Sequence, residues 1–248
     1  MSLSVIIITK NEASNIGECI ASASFADEIV IVDSGSTDET VLIAQKLGAK
    51  IFETDWQGFG HQKNRAIDFS TSDWIFSLDA DERITSELKK EIQSAIDQAK
   101  FYVFDVPRSS LFISKFMKHS GWHPDRTIRL FKRGSARFSS HQVHEHIETK
   151  QKLGHLTTPL THYSYRNYET LLNKMNAYST AGALDLHNRN KKASLSSAIL
   201  HGTWAFIRTY FIKLGFLDGS AGFILAFANA ETTYYKYLKL YLSQLQKK

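Results

Sequence analysis

Apolar residues in the first third of the chain form four short runs, separated by segments with the spacing of amphipathic helices. The first two runs are continuous and rich in isoleucine and valine, which is typical of strands that a parallel sheet buries on both faces. A helix after the second run is predicted to begin with a capping box of Ser36 and Glu39 and to end at Gly48. The pattern predicts a β-α-β-α-β-α-β order and an α/β fold. The strands are predicted at residues 4–9, 28–32, 50–53 and 74–78, with one of the helices at 59–69.

The pattern changes after about residue 100. Short β-like segments are followed by a histidine-rich stretch and then by helical periodicity from about Tyr168 to the end. No linker rich in proline, glycine or serine separates these parts. The predicted organisation is a catalytic domain at 1–165, with halves at 1–100 and 101–165, and a helical C-terminal region at 166–248.

Composition places the chain among globular proteins, since 43% of its 248 residues are hydrophobic and only 3 are proline. The single cysteine, Cys19, excludes an internal disulfide and a zinc site built mainly from thiolates, and it fits a reducing cytosol. The N-terminal apolar run lacks the basic region and cleavage site of a signal peptide. The charge-free stretches 193–207 and 219–230 are shorter than the roughly 20 residues that span a bilayer. We therefore expect a cytoplasmic protein.

Charge is unevenly distributed, although the net charge is only +5. The first hundred residues carry 17 acidic and 9 basic side chains, whereas the rest of the chain carries 8 acidic and 21 basic ones. Clustered acids indicate a cation site, and the basic part indicates an anionic partner such as nucleic acid, acidic lipid or a phosphorylated glycan. An ordinary solvated surface would account for the charge counts taken alone.

Polar residues follow three predicted strands, at the edge where open α/β sheets bind their ligands. The first strand ends in T-K-N-E, the second in D-S-G-S-T-D and the fourth in D-A-D-E. The glycine-rich fingerprints of dinucleotide-binding and phosphate-loop enzymes do not occur in the sequence. Three aspartates at one edge, Asp33, Asp79 and Asp81, repel one another unless a cation or a donor-rich ligand joins them. The D-x-D tripeptide therefore predicts a hard divalent cation that also binds a diphosphate.

These motifs resemble the nucleotide-sugar-binding motifs of glycosyltransferase family 2, inverting enzymes with the GT-A fold. Later motifs resemble the acceptor half and tail of a branch that contains lipopolysaccharide core β-glucosyltransferases. The resemblance implies a GT-A type doubly wound, mostly parallel sheet with a helical C-terminal region. The motifs lie at residues 7–12, 31–38 and 78–82 for the family, and at 122–125, 129–131, 143–145 and 214–219 for the branch.

The resemblance also implies a reaction, the metal-dependent inverting transfer of a hexose from a UDP-sugar to the inner-core heptose of lipopolysaccharide. UDP-glucose is the first candidate for the donor. Asp33 would contact the uracil or ribose, Asp79 the ribose, and Asp81 a Mg²⁺ or Mn²⁺ ion that bridges the donor diphosphate. Lys63 would lie near the phosphates or the base. The donor pocket would also include Thr9, Asn11 and Glu12, and the metal ligands would be Asp81 and Asp79.

An inverting transfer needs a carboxylate that takes the proton of the acceptor hydroxyl as its oxygen attacks the anomeric carbon. Glu145 is the predicted base, because it lies beyond the sheet half and matches the V-H-E motif of the branch. Asp105 and Asp125 are the alternatives, since family members more often use an aspartate here.

Several histidines occur near Glu145 in the sequence. The spacing of His141, His144 and His146 presets no common face, so a zinc site is disfavoured. His144 is instead expected to orient the catalytic base or to contact the acceptor. His162 either lines the pocket or is a hydrogen-bonded packing residue.

From Ser196 onward, aromatic and aliphatic residues recur at helical spacing and are accompanied by basic ones. Such helices either pack on the catalytic domain or lie in a membrane interface. The inferred lipid-linked acceptor favours peripheral association with the anionic cytoplasmic face of the inner membrane. The basic residues are Lys191, Lys192, Arg208, Lys213, Lys236 and Lys239.

Three other interpretations are open. A family 2 transferase could use another nucleotide sugar or another glycan acceptor, because a few pocket contacts decide both. A nucleotidyltransferase would carry a glycine-rich basic loop after the first strand, which this chain lacks. A basic nucleic-acid-binding protein would carry a recognised module, and none occurs in the sequence, so no nucleic-acid partner is expected.

Overall fold

The computed structural model describes residues 1–139, 146–165 and 167–245. The chain divides into two compact units, Met1–Ser109 with Asp125–His162, and Ser110–Pro124 with Tyr163–Lys248. The strands are β1 (Leu3–Thr9), β2 (Glu28–Asp33), β3 (Lys50–Glu53), β4 (Trp74–Ser77), β5 (Glu82–Arg83), β6 (Val103–Phe112), β7 (Lys115–Phe116), β8 (Arg126–Lys132), β9 (Arg137–Phe138), β10 (Ile147–Glu148), β11 (Leu153–His155) and β12 (Leu160–Tyr165). The helices are α1 (Ala13–Ser22), α2 (Thr40–Lys46), α3 (Phe59–Phe69), α4 (Ser86–Gln98), α5 (Tyr168–Asn188), α6 (Leu195–Ile207) and α7 (Gly219–Leu245).

The main sheet has the strand order β3-β2-β1-β4-β8-β6-β12-β5. Its first four strands are parallel, because β1 pairs with β2 on one side and β4 on the other, and β3 pairs with β2. β8 then pairs antiparallel with β4, and β6 with β8. The chain order reverses at β1, so the carboxyl ends of β1, β2 and β4 form the edge where α/β sheets bind ligands.

Alternate residues of the buried strands supply two different cores. Val5 and Ile7 of β1 pack with α1 and α4 on one face of the sheet. Ile6 packs with Ala66 and Ile67 of α3 on the other face. A continuous apolar run is therefore needed to satisfy both faces, as predicted for the doubly wound sheet.

The second unit consists of the last three helices and the hairpin that ends β6. Phe112 and Met117 of this hairpin share a core with Leu171, Met175 and Leu225 of the helices. The first unit ends at His162, and the segment 110–124 groups with the helices, where Phe112 and Met117 are buried.

A helix that could cross a membrane alone is not found in the described part of the chain. One bent pair of segments, Leu195–Ile212 with Gly215–Leu245, reaches the required length and apolarity together, with an angle of 69° between its halves.

Candidate functional site

The ends of β1 and β2 are joined by side-chain hydrogen bonds. Thr9 lies opposite Asp33 in the parallel register, and its hydroxyl donates to Asp33 Oδ1 at 2.8 Å. The Asp33 carboxylate, which is fully buried, also accepts from the Gly35 N–H at 2.9 Å, the Ser36 N–H at 2.7 Å and the Ser36 hydroxyl. A carboxylate accepts about four such bonds, so a contact from Asp33 to a nucleotide would have to replace one of them.

The predicted capping box of Ser36 and Glu39 is wrong. Helix α2 begins at Thr40, and Glu39 at its N-cap makes no capping hydrogen bond through its side chain. Ser36 instead bonds to Asp33 and accepts from the Asn11 N–H at 2.8 Å. The Ser36 oxygen thus accepts from a backbone N–H of the neighbouring loop instead of from a helix N–H, while its hydroxyl donates to the carboxylate.

The T-K-N-E segment braces the loop that follows β2. Asn11 has a positive φ of 55°, and its side-chain oxygen accepts from the Thr37 N–H at 2.8 Å. The backbone N–H of Glu12 donates to the Thr40 hydroxyl at 2.7 Å, and its carboxylate accepts from Asn15 at 2.6 Å. Thr9, Asn11 and Glu12 thus lie at one edge as predicted, and their contacts hold the two loops together.

Asp79, directly after β4, lies between two cations. Its Oδ1 is 3.0 Å from Lys63 Nζ, and its Oδ2 is 2.6 Å from Arg129 Nη2. Lys63 belongs to α3 and is itself buried, with its ammonium group 5.2 Å from the centre of the Phe138 ring. Burial raises the pKa of Asp79, but the charges of Arg129 and Lys63 outweigh burial and hold that pKa well below its usual range. Both carboxylate oxygens therefore already contact a cation of the protein.

Two residues without an assigned role in the sequence analysis complete this cluster. Glu82 is fully buried, accepts from the Asp79 N–H at 3.0 Å, and lies 2.6 Å from Arg129 Nη2. Burial raises the pKa of Glu82, and the charge of Arg129 offsets only part of the effect. Burial lowers the pKa of Arg129, but Asp79 and Glu82 together raise it above its ordinary value. The two carboxylates are thus balanced by Arg129 and Lys63, and Arg108 Nη1 lies a further 3.5 Å from Glu82 Oε1.

Arg129 could have been identified from its place in the sequence. It stands in the apolar strand β8, between Ile128 and Leu130, at a buried position. A charged side chain there needs a buried partner of opposite sign, and the D-A-D-E motif supplies the nearest acidic residues in the sheet. Its Nε is buried and has no hydrogen-bond partner within the described structure.

Asp81 has a different environment from Asp79. The two side chains are similarly exposed, 23% for Asp81 and 30% for Asp79, so the difference lies in their partners: Asp81 Oδ2 is 3.4 Å from Nε2 of His162. The antiparallel pairing of β5 with β12 places His162 opposite Glu82, which brings the imidazole to the D-x-D tripeptide. Asp81 thus contacts an imidazole, which is a metal ligand when neutral, rather than a permanently charged side chain.

The predicted general base, Glu145, lies outside the described residues, as do His141 and His144. The alternative Asp105 is held by Arg126 Nε at 3.0 Å and His155 Nδ1 at 2.9 Å. Burial raises the pKa of Asp105, but these two hydrogen-bond partners bring it below its ordinary value.

The other alternative, Asp125, accepts two hydrogen bonds from Arg108, at 2.9 and 2.6 Å, through one carboxylate oxygen. Proton transfer to Asp105 or Asp125 would therefore compete with an arginine.

No group of three or more histidine, cysteine, aspartate or glutamate side chains with metal-binding geometry occurs in residues 1–139, 146–165 and 167–245.

Comparison with known proteins covers both units. The sequence model of the family described as "Glycosyl transferase family 2" matches residues 4–154. An uncharacterized glycosyltransferase of Rickettsia felis is 32% identical over 99% of this chain and 92% of that protein. The lipopolysaccharide core biosynthesis glycosyltransferase LpsC of Rhizobium meliloti is 31% identical over 97% of this chain and 92% of its own length. The crystal structure of Staphylococcus aureus TarS 1–349 in complex with UDP-GlcNAc is similar in fold, with 16% identity, a TM-score of 0.51, and coverage of 100% of this chain and 93% of that one.

Proposed function

Because this chain belongs to glycosyltransferase family 2, we propose that it transfers a hexose from a UDP-sugar, with UDP-glucose the first donor to test, to an inner-core heptose of lipopolysaccharide. The observation that carries the proposal is the contrast between the two aspartates of the D-x-D tripeptide. Both side chains are partly exposed, but Asp79 is neutralised by Lys63 and Arg129, whereas Asp81 lies beside the imidazole of His162. The similarity to LpsC supports the choice of acceptor.

The residues fit a divalent cation that the substrate helps to hold. Mg²⁺ in nucleotide sites is held by one or two carboxylates and completes its shell with phosphate oxygens and water. Asp81 offers one such carboxylate, and Asp79 is less suited because both its oxygens already contact cations. When bound, Mg²⁺ or Mn²⁺ would neutralise the charge that develops on the departing diphosphate.

The other residues orient the donor. In this proposal the ion-paired Asp79 contacts the ribose, and Lys63 places its charge near the phosphates. Asp33 holds the loop that follows β2 through its four hydrogen bonds. A contact from Asp33 to the uracil or ribose would therefore replace one of these bonds. This rigid edge lowers the entropic cost of fixing the donor before transfer.

The acceptor hydroxyl must lose a proton as its oxygen attacks the anomeric carbon from the face opposite the diphosphate. We assign this proton to Glu145. The arginine contacts of Asp105 and Asp125 support the assignment, since each alternative carboxylate would have to release an arginine first. Because the acceptor is lipid-linked, we place the reaction at the cytoplasmic face of the inner membrane.

Asp81→Asn tests the proposal. Without the negative charge we expect transfer to fall by about 100-fold or more, because a positioned metal ion supplies several kcal/mol of transition-state stabilisation. Calorimetric titration of UDP with and without Mn²⁺ should show that Mn²⁺ strengthens binding to the wild type and not to the variant. Asp97→Asn, at an exposed site on α4, is the matched control. An unchanged Mn²⁺ effect in Asp81→Asn, or no UDP binding by the wild type, would contradict the proposal.

A further inference from the structure

Exposed apolar side chains concentrate in one part of the second unit, residues 195–230, here called the apolar hairpin. It contains α6, the helical turns Arg208–Ile212 and Gly215–Asp218, and the first half of α7. Leu200 is 69% exposed, and Trp204, Phe211 and Ile212 are each more than half exposed. A folded protein rarely leaves a large contiguous apolar area in water unless the area binds something.

Every exposed charge on the apolar hairpin is positive. Its charged residues are Arg208, Lys213 and Asp218, and the two basic ones are exposed. Asp218 is buried, where its carboxylate accepts from the backbone N–H groups of Lys118 and His119. Within residues 195–230 the exposed charge is therefore positive, which complements an anionic surface. The adjacent acidic residue, Glu231, is half-buried.

The basic residues further along α7 have different roles. The Lys239 ammonium lies within hydrogen-bond distance of four oxygens of α5, on Asn176, Ser179 and Thr180, so it joins two helices. On the apolar hairpin itself the exposed positive charge is at Arg208 and Lys213, and Lys191 and Lys192 are also exposed directly before it.

A groove between α6 and α7 adds to this surface. It has a volume of about 540 Å³ and is lined mainly by apolar and aromatic side chains, including Ile199, Phe206, Phe223 and Phe227, with Glu231 as its one charged residue. Gly202 lies at its base, where an added Cβ would be 3.1 Å from Tyr234 Cβ, so the helices can approach closely there. An open apolar groove beside positive charge suits a hydrocarbon chain that carries an anionic head group.

We propose that the apolar hairpin is a membrane-binding surface for an anionic phospholipid bilayer. Its aromatic and aliphatic side chains enter the interfacial layer, and the groove takes an acyl chain. Arg208 and Lys213 contact the head groups. Aromatic and aliphatic side chains beside lysine or arginine are the pattern of helices that lie in this layer. The inference deepens the proposed function, since a lipid-linked acceptor requires the enzyme at the bilayer surface.

Flotation of the full-length chain with vesicles tests the surface. The protein should float with phosphatidylcholine vesicles containing 30% phosphatidylglycerol and be released only partly by high salt, because salt screens the charges and not the apolar contacts. Arg208→Gln with Lys213→Gln should lower the partition coefficient by about 30-fold. Lys46→Gln with Lys90→Gln, which removes the same charge from exposed sites in the first unit, should leave partitioning unchanged. Equal losses in both double variants would overturn the proposal.

A second pair of double variants tests the contribution of the apolar side chains to membrane binding. Phe211→Ser with Ile212→Ser should abolish flotation, whereas Leu42→Ser with Leu47→Ser, at comparably exposed sites in the first unit, should not. Circular dichroism checks that both double variants are folded. If the wild type is instead a dimer by light scattering, and the Phe211 and Ile212 variant is a monomer that still floats, the surface binds a second copy and the proposal is wrong.

Tryptophan fluorescence locates the contact. Lipids brominated in the acyl chain should quench the wild type and Trp56→Phe, and the quenching should disappear in Trp204→Phe. Quenching that is lost only in Trp56→Phe would place the contact on the first unit and overturn the inference. UDP titration separates the two proposals: a wild type that binds UDP but does not float contradicts this inference alone, and one that floats without binding UDP contradicts the proposed function alone.

Discussion

Replacing Arg129 with methionine should destabilise the first unit strongly, because it removes the cation that the buried Glu82 shares with the partly exposed Asp79. Arg129 Nη2 lies 2.6 Å from both Asp79 Oδ2 and Glu82 Oε1. Methionine fills a similar volume but removes the main counter-charge of the buried Glu82 and leaves it the longer 3.5 Å contact with Arg108. Breaking a buried ion pair by removing one partner costs about 3–5 kcal/mol, which lowers the melting temperature by roughly 6–20 °C for a domain of this size.

The pH dependence of the variant identifies the cause. Loss of Arg129 raises the folded pKa of Glu82 further above its unfolded value, so the folded variant holds a proton that the unfolded chain releases. Stability of the variant is then greatest below the unfolded pKa of about 4.5 and falls as pH rises toward the folded pKa. The difference in melting temperature from the wild type should therefore be smaller at pH 5 than at pH 7.

A second substitution makes the reasoning falsifiable. Glu82→Gln in the Arg129→Met background removes the uncompensated carboxylate and should recover part of the lost melting temperature at pH 7, although Glu82→Gln alone destabilises. Thermal unfolding followed by circular dichroism, with the four proteins compared as a double-mutant cycle, measures the coupling. A melting temperature of Arg129→Met within 2 °C of wild type, or simple addition of the two effects, would refute the shared-cation account.

Two further predictions concern the base and the sheet. Glu145→Gln should leave UDP-sugar binding almost unchanged while lowering the transfer rate constant by roughly 10²–10⁴-fold; normal turnover, with loss in Asp105→Asn or Asp125→Asn, would move the base to that aspartate. Burial raises the pKa of Glu28, but hydrogen bonds, first from Lys50, lower it from 4.5 to about 2, so Glu28→Gln should cost about 3 kcal/mol at pH 7. That cost is complete above about pH 4.5 and should vanish as pH falls toward 2, which urea unfolding at several pH values checks; a pH-independent cost would exclude the linkage.

The sequence alone determined the parallel part of the sheet and the edge that carries the site. The apolar runs had to be buried on both faces, and this predicted the four strands to within one residue at each end. The polar motifs that follow β1, β2 and β4 meet at one edge because parallel strands place their carboxyl ends together. Local pattern was sufficient for both results, since each depends on residues that are close along the chain.

Tertiary structure decided which charges meet. Arg129 contacts Asp79 and Glu82 across separations of 50 and 47 residues, and the order β4-β8 that joins them is not encoded in either segment. The same holds for His162, which reaches Asp81 only because β12 pairs with β5. Long-range strand pairing thus gives different environments to two aspartates that are equivalent in the D-x-D motif. It places cations next to Asp79 and an imidazole next to Asp81.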